Sequence, residues 1–203
     1  MDEIIARHQP LVENLQDQGV DARRVQPQVL REALTREFAK AYPGVDDLIL
    51  SYSPPDFYLN LESMRRLNLN RKDLEATAIK ALLGTSLVAK VYTADDLTST
   101  QASPDSYLTL FRNAFFETRS PQLTVLLKPY IYLNSLPGGT GHGTVYDYDR
   151  HVPIVFMGSA VKSGSYNADC GPEDIAPTLG LILGLDFPRE PDSRLLREML
   201  PGS

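Results

Sequence analysis

Apolar residues recur every three or four positions along several stretches of the chain, and each stretch runs into a residue that stops a helix. From Asp2 to Gln18, Ile4, Ile5, Leu11, Val12 and Leu15 keep near-helical spacing, and Gly19 follows as a stop. Val29, Leu30, Ala33, Leu34, Phe38 and Ala41 repeat the pattern up to Pro43-Gly44. Asn70 opens a third helix as its N-cap, with Leu74, Ala78, Ile79 and Leu82 on one stripe and Gly84 at its end. Ser106 to Phe116 predicts a fourth, before Pro121. Between them lie shorter β-rich runs. Asp47 to Ser51 and Phe57 to Leu61 flank Ser53-Pro54-Pro55-Asp56 and predict a strand pair, and Leu87 to Thr93 alternates as a strand.

The second half of the chain reads differently. Leu123 to Leu133 is apolar on both sides, as in a strand with helices over both faces of its sheet, and it runs into the loop Leu136-Pro137-Gly138-Gly139-Thr140-Gly141-His142-Gly143-Thr144. His151 to Gly158 predicts a second buried strand through Val152-Pro153-Ile154-Val155-Phe156-Met157. Glu173 to Leu183 predicts a helix with Pro177 near its first turn. Strand, loop, strand and helix in that order suit an α/β fold with a sheet covered by helices. The first hundred residues read as a cap or insert of helices and a small sheet, giving an expected division into 1–100 and 101–203.

Composition narrows the functional classes. With 203 residues, 42% of them apolar, the chain is long enough to bury a substantial core. Its 20 Lys and Arg against 26 Asp and Glu leave a net charge of −6, which argues against a broad nucleic-acid or anionic-membrane surface. A small anionic substrate would need a metal ion or a helix N-terminus. The single cysteine, Cys170, can form neither an intrachain disulfide nor a zinc knuckle. No apolar run reaches the roughly 20 residues of a membrane span. Met1 to Gly19 is charged throughout, so no signal peptide is expected within it, although one could precede a longer parent chain.

His142, between Gly141 and Gly143, is the residue most suited to chemistry. Open α/β sheets bind ligands beyond strand ends, and flanking glycines allow a backbone or ligand to approach closely. An imidazole there suits a metal ligand or an acid/base, and equally a loop histidine bonded to backbone.

Two motifs tip the balance. Gly139-Thr140-Gly141-His142-Gly143-Thr144 followed by Tyr146-Asp147-Tyr148-Asp149-Arg150-His151-Val152-Pro153 resembles the late metal-ligand segment of phosphate-irrepressible alkaline phosphatases and their phosphodiesterase and nucleotide pyrophosphatase relatives. Cys170-Gly171-Pro172-Glu173-Asp174-Ile175-Ala176-Pro177-Thr178 resembles the Asp-Ile-x-Pro-Thr helix start of the alkaline phosphatase superfamily. The similarity spans roughly 123–185. It implies the C-terminal part of an alkaline-phosphatase-like α/β core, with His142 as a ligand to one of two zinc ions and Gly141 and Gly143 shaping its loop. It also implies hydrolysis of phosphate monoesters or diesters through a covalent phospho-Thr or phospho-Ser.

The family's nucleophile, its early metal-binding Asp, its Asp-x-x-x-His pair and its Asp-His pair have no match here. The chain holds only three histidines, and His8 lies in a polar stretch. The resemblance therefore implies a partial site at most, in a chain incomplete and inactive by itself. Asp147 and His151 show Asp-x-x-x-His spacing, but in a segment read as a turn entering a strand. Their expected role is structural, with Asp147, Asp149 and His151 as candidates for orienting His142 from behind. Asp174 is expected to cap the following helix, and Thr178 to pack or bond back within it. The competing reading is a non-catalytic binding or scaffold domain using its Tyr-rich loop. A sheet lacking neighbouring strands would favour self-association. The family resemblance points to a location outside the cytoplasm.

Overall fold

The computed structural model describes residues 10–186, 188 and 192–202. His8 and the first residues of the expected N-terminal helix lie outside them. Two compact units are present, one reaching His151 and the other beginning at Val152.

The first unit is built on a four-stranded antiparallel sheet. In chain order its elements are α1 (Val12–Asp17), β1 (Arg23–Val25), α2 (Gln28–Ala41), β2 (Ile49–Ser53), β3 (Asp56–Leu59), α3 (Leu61–Arg66), α4 (Arg71–Leu83), β4 (Val88–Thr93), α5 (Ala94–Thr98), α6 (Ser106–Ala114), β5 (Leu123–Leu127), β6 (Ile131–Leu133) and the single turn α7 (Asp147–Arg150). The sheet order is β2-β3-β5-β4. β4 and β5 pair from Val88 opposite Leu127 to Thr93 opposite Leu123, so one sheet draws on both sides of position 100.

The helical periodicity has a direct packing consequence. Leu30, Leu34 and Phe38 of α2 and Leu74, Ala78 and Leu82 of α4 recur at intervals of four, which stacks them on one face of each helix. Those faces meet Phe57, Leu59, Val88, Leu123 and Val125 of the sheet in one core. Burying each large side chain fully contributes about 1.5–3 kcal/mol. Asn70 caps α4 as expected, its side chain accepting from the amides of Lys72 and Asp73. On the other side of β5, Leu126 joins Tyr92, Leu97, Leu108 and Tyr146 in a second cluster, which is why this strand is apolar on both sides.

The expected continuous strand from Leu123 to Leu133 is in fact two strands in two sheets. Pro129 has no amide to donate, and Tyr130 adopts a left-handed φ of 61°, so the chain turns between them. β6 then pairs in parallel with β1, placing Arg24 opposite Tyr132 and Val25 opposite Leu133.

The second unit contains a short 3-10 turn (Pro172–Asp174), α8 (Ile175–Leu183) and a second 3-10 turn (Arg197–Met199). The expected strand through Val152-Pro153-Ile154-Val155-Phe156-Met157 does not form, because among the described residues no strand pairs with it. Val155 and Met157 are 74% and 98% exposed.

Asp174 also differs from expectation, while Thr178 packs inside the helix as expected. Asp174 makes no side-chain cap to α8. Its carboxylate instead accepts from the amides of Gly171 (3.0 Å) and Arg194 (2.6 Å). Thr178, fully buried, accepts from the Leu196 amide at 3.1 Å. Both residues pin the C-terminal segment to α8.

Candidate functional site

The loop carrying His142 leaves β6 and returns at α7, and its shape follows from contacts at both ends. At the start, Asn134 receives the Leu136 amide on its side-chain oxygen while its own amide donates to Val25. The Tyr132 hydroxyl donates to the Thr140 carbonyl at 2.9 Å. Gly141 lies so close to the Tyr132 ring that a Cβ would collide with it. Gly143 has a φ of 100°, in the region that favours glycine.

Arg24 completes the clamp. The β1–β6 register sets its guanidinium 5.1 Å from the Tyr132 ring centre, a cation–π distance. The same group holds both oxygens of Glu13 at 3.0–3.1 Å and donates from Nη2 to the Gly139 carbonyl at 3.0 Å. Its own helix's first-turn backbone, together with Arg24, holds the Glu13 carboxyl below the usual carboxylate range.

At the far end, Asp149 accepts from the Thr144 amide at 2.7 Å, and its other oxygen is buried with no hydrogen-bond partner among the described residues. Asp147 opens α7, and its carbonyl accepts from the His151 amide at 3.0 Å. The segment expected to run from a turn into a strand is thus a single helical turn with no strand after it among the described residues. His142, Asp147 and His151 are all exposed, while Asp149 is half-buried against the loop. Of the candidates for orienting His142, Asp149 alone holds the loop backbone through its side chain.

The tyrosines of this segment point into the protein. Tyr146 donates to the Leu127 carbonyl at 2.6 Å and meets Tyr107 edge-on. Tyr148 stacks on both Tyr130 and Tyr146 and receives the Tyr130 amide. Burial pushes the Tyr146 hydroxyl up to about 12. A partner using these rings as a binding surface would have to remove them from the core.

His142 also borders a cavity of about 290 Å³ whose lining includes Asp56 at the start of β3. Asp56 accepts from the Val125 amide at 2.8 Å, doing for β5 what a strand neighbour would do. Burial raises its carboxyl to about 6, with the Val125 bond acting in the opposite direction. Neither Asp56 nor Arg24 stands out in the sequence, since each touches the site through a partner more than sixty positions away.

Zinc requires three or four converging ligands. Among the described residues, no three His, Cys, Asp or Glu side chains come together in that way. His142 can supply one ligand, and the described residues do not complete a metal site around it.

No protein-family model matches the chain. Curated relatives do. A protein of Myroides odoratus called a calcium-transporting ATPase is 31% identical over 160 residues, taking in 78% of this chain and 29% of that protein. Alkaline phosphatase PhoD of Zymomonas mobilis is 30% identical over 204 aligned positions, covering 93% of this chain and 34% of its own. The crystal structure of alkaline phosphatase PafA superposes with a TM-score of 0.78 over 93% of this chain and 35% of its own, at 21% identity, a likeness of fold. The chain spans about a third of the length of these relatives. With the alkaline phosphatases PhoV and PhoK also matching in sequence, and with the PafA fold followed nearly end to end, the chain belongs to the alkaline phosphatase superfamily.

Proposed function

We propose that this chain contributes the late metal-ligand segment of a zinc-dependent phosphoric ester hydrolase, with His142 as the one zinc ligand it supplies. The observation that carries this reading is the clamped loop. Arg24, Tyr132 and Asp149 restrain the backbone on both sides of Gly141-His142-Gly143 and leave the imidazole exposed. A neutral imidazole on a restrained loop suits zinc, and restraint lowers the entropy lost on ligation.

In this reading the second zinc ion, the remaining ligands and the Thr or Ser that forms the covalent phospho-intermediate lie outside these 203 residues, and the chain is inactive without them. When bound, zinc would polarise the phosphoryl oxygens and lower the pKa of an attacking group. This chain's share is to hold and orient one imidazole. Monoesters and diesters both remain substrates of the proposal, as does a location outside the cytoplasm. We retain a cap or insert over 1–100 against a core part over 101–203, with β5 reaching back to complete the cap's sheet. Self-association is part of the reading, supported by the exposure of Val155, Met157 and Leu183.

Elemental analysis of zinc on the purified chain, with and without His142→Ala, tests the proposal. Substoichiometric zinc that falls away in the variant is the expected result. Zinc content unaffected by the substitution would sink it.

A further inference from the structure

The cavity beside His142 has a lining that differs from what a phosphate group requires. Phe111, Leu126, Ile131 and Leu133 are among the apolar side chains of its wall, and no Lys or Arg is among its described lining residues. Two tyrosine hydroxyls near it are already committed, Tyr132 to the Thr140 carbonyl and Tyr146 to the Leu127 carbonyl. The ionisable side chains left on the wall are the Asp56 carboxyl and the His142 imidazole. An apolar cavity of roughly 150 Å³ is enough to admit benzene, so about 290 Å³ has room for one ring with a substituent.

We propose that this cavity receives the organic part of the ester, a single aromatic ring or an uncharged alcohol of that size, with Asp56 hydrogen-bonding a polar group on it. The inference rests on the reading of His142 as the group beside the phosphoryl centre. It adds the substrate class, phosphate esters of compact, uncharged, ring-sized alcohols. The charge pattern divides the substrate: the anionic phosphoryl group stays at the exposed imidazole edge, and the apolar moiety enters a wall without cations. A carboxyl kept in its neutral form up to mildly acidic pH can donate to a hydroxyl or ether oxygen, and above that range it accepts from a hydroxyl. Asp56 is held for this by the Val125 amide, which fixes one oxygen at 2.8 Å.

The test uses phenol and inorganic phosphate as separate probes, titrated into the metal-free chain and followed by amide and side-chain NMR. Phenol is expected to shift the signals of Asp56, Leu126, Leu133 and residues 142–145 saturably. Leu133→Trp, which fills the cavity, should weaken that binding at least tenfold. Asp56→Asn keeps an acceptor for the Val125 amide and should weaken it severalfold without loss of the fold, so it reports even where the tryptophan variant folds poorly. Absence of saturable shifts, equal shifts with inorganic phosphate, or phenol binding indifferent to both variants would overturn the proposal. Because no metal or turnover is involved, loss of the zinc reading leaves this result standing, and loss of this one leaves zinc binding at His142 untouched.

Discussion

Arg24 donates from Nη2 to the carbonyl oxygen of Gly139 at 3.0 Å, across 115 positions of sequence, and so fastens the first β-strand to the loop that carries His142. The parallel pairing of β1 with β6 makes this contact possible, since it sets Arg24 beside Tyr132 and Tyr132 beneath Gly141. Replacing Arg24 with Ala is expected to cost about 1.5–3 kcal/mol, the range for losing a hydrogen bond to a charged group. Most of the effect should be local, as faster amide hydrogen exchange at 139–144. Unchanged protection there would show that the loop is held without Arg24.

Gly141 and Gly143 make separable predictions. An alanine at Gly143 must adopt a φ near 100°, which costs roughly 1–2 kcal/mol. An alanine at Gly141 meets the Tyr132 ring instead, so its penalty should shrink when Tyr132 is replaced by Leu, whereas the Gly143 penalty should not. A double-mutant cycle in denaturant measures both.

In the second unit, Thr178→Val keeps the shape of a fully buried side chain but removes the acceptor of the Leu196 amide. An unsatisfied buried donor costs about 1–3 kcal/mol. Asp174→Ala strips the acceptor from two amides, those of Gly171 and Arg194, and should cost more. If chemical denaturation ranks Thr178→Val as the more damaging, the pinning role of Asp174 is wrong.

Asp56 gives a pH dependence of definite sign. Its carboxyl titrates near 6 in the folded chain against 3.8 as the reference, so the folded state binds the extra proton between those values. Stability contributed by this group is therefore greatest in acid and declines as pH rises through about 4 to 6. Asp56→Asn removes the ionisation and retains the Val125 acceptor. It is expected to stabilise the protein at pH 7 by on the order of 2 kcal/mol and to flatten that part of the pH profile. A variant less stable than the parent at pH 7, measured by urea unfolding, would contradict this assignment.

Period and punctuation alone located most of the elements. The stripes ending at Gly44 and Gly84 are α2 and α4, Asn70 is the cap that its side chain suggested, and Ser53 to Asp56 turns the β2–β3 hairpin. The Gly-His-Gly loop and the Asp-Ile-Ala-Pro-Thr segment stood out by their resemblance to short motifs, which also involve residues close in sequence. These features depend on residues within a turn or two of each other.

What lay beyond the sequence depended on distant partners. Pro129 marks a break within 123–133, but only pairing with β4 and with β1 decides that the two pieces join different sheets. The apolar run through Val155 has the composition of a buried strand, yet a strand exists only when a neighbour satisfies its backbone, and none of the described residues does so. Arg24 and Asp56 look like ordinary polar residues until the fold lays them against Gly139 and Val125. The sequence by itself determined the local elements and the identity of the candidate ligand. Tertiary structure alone decided which side chains hold its loop and which wall faces it, because hydrogen bonds and burial act between neighbours in space.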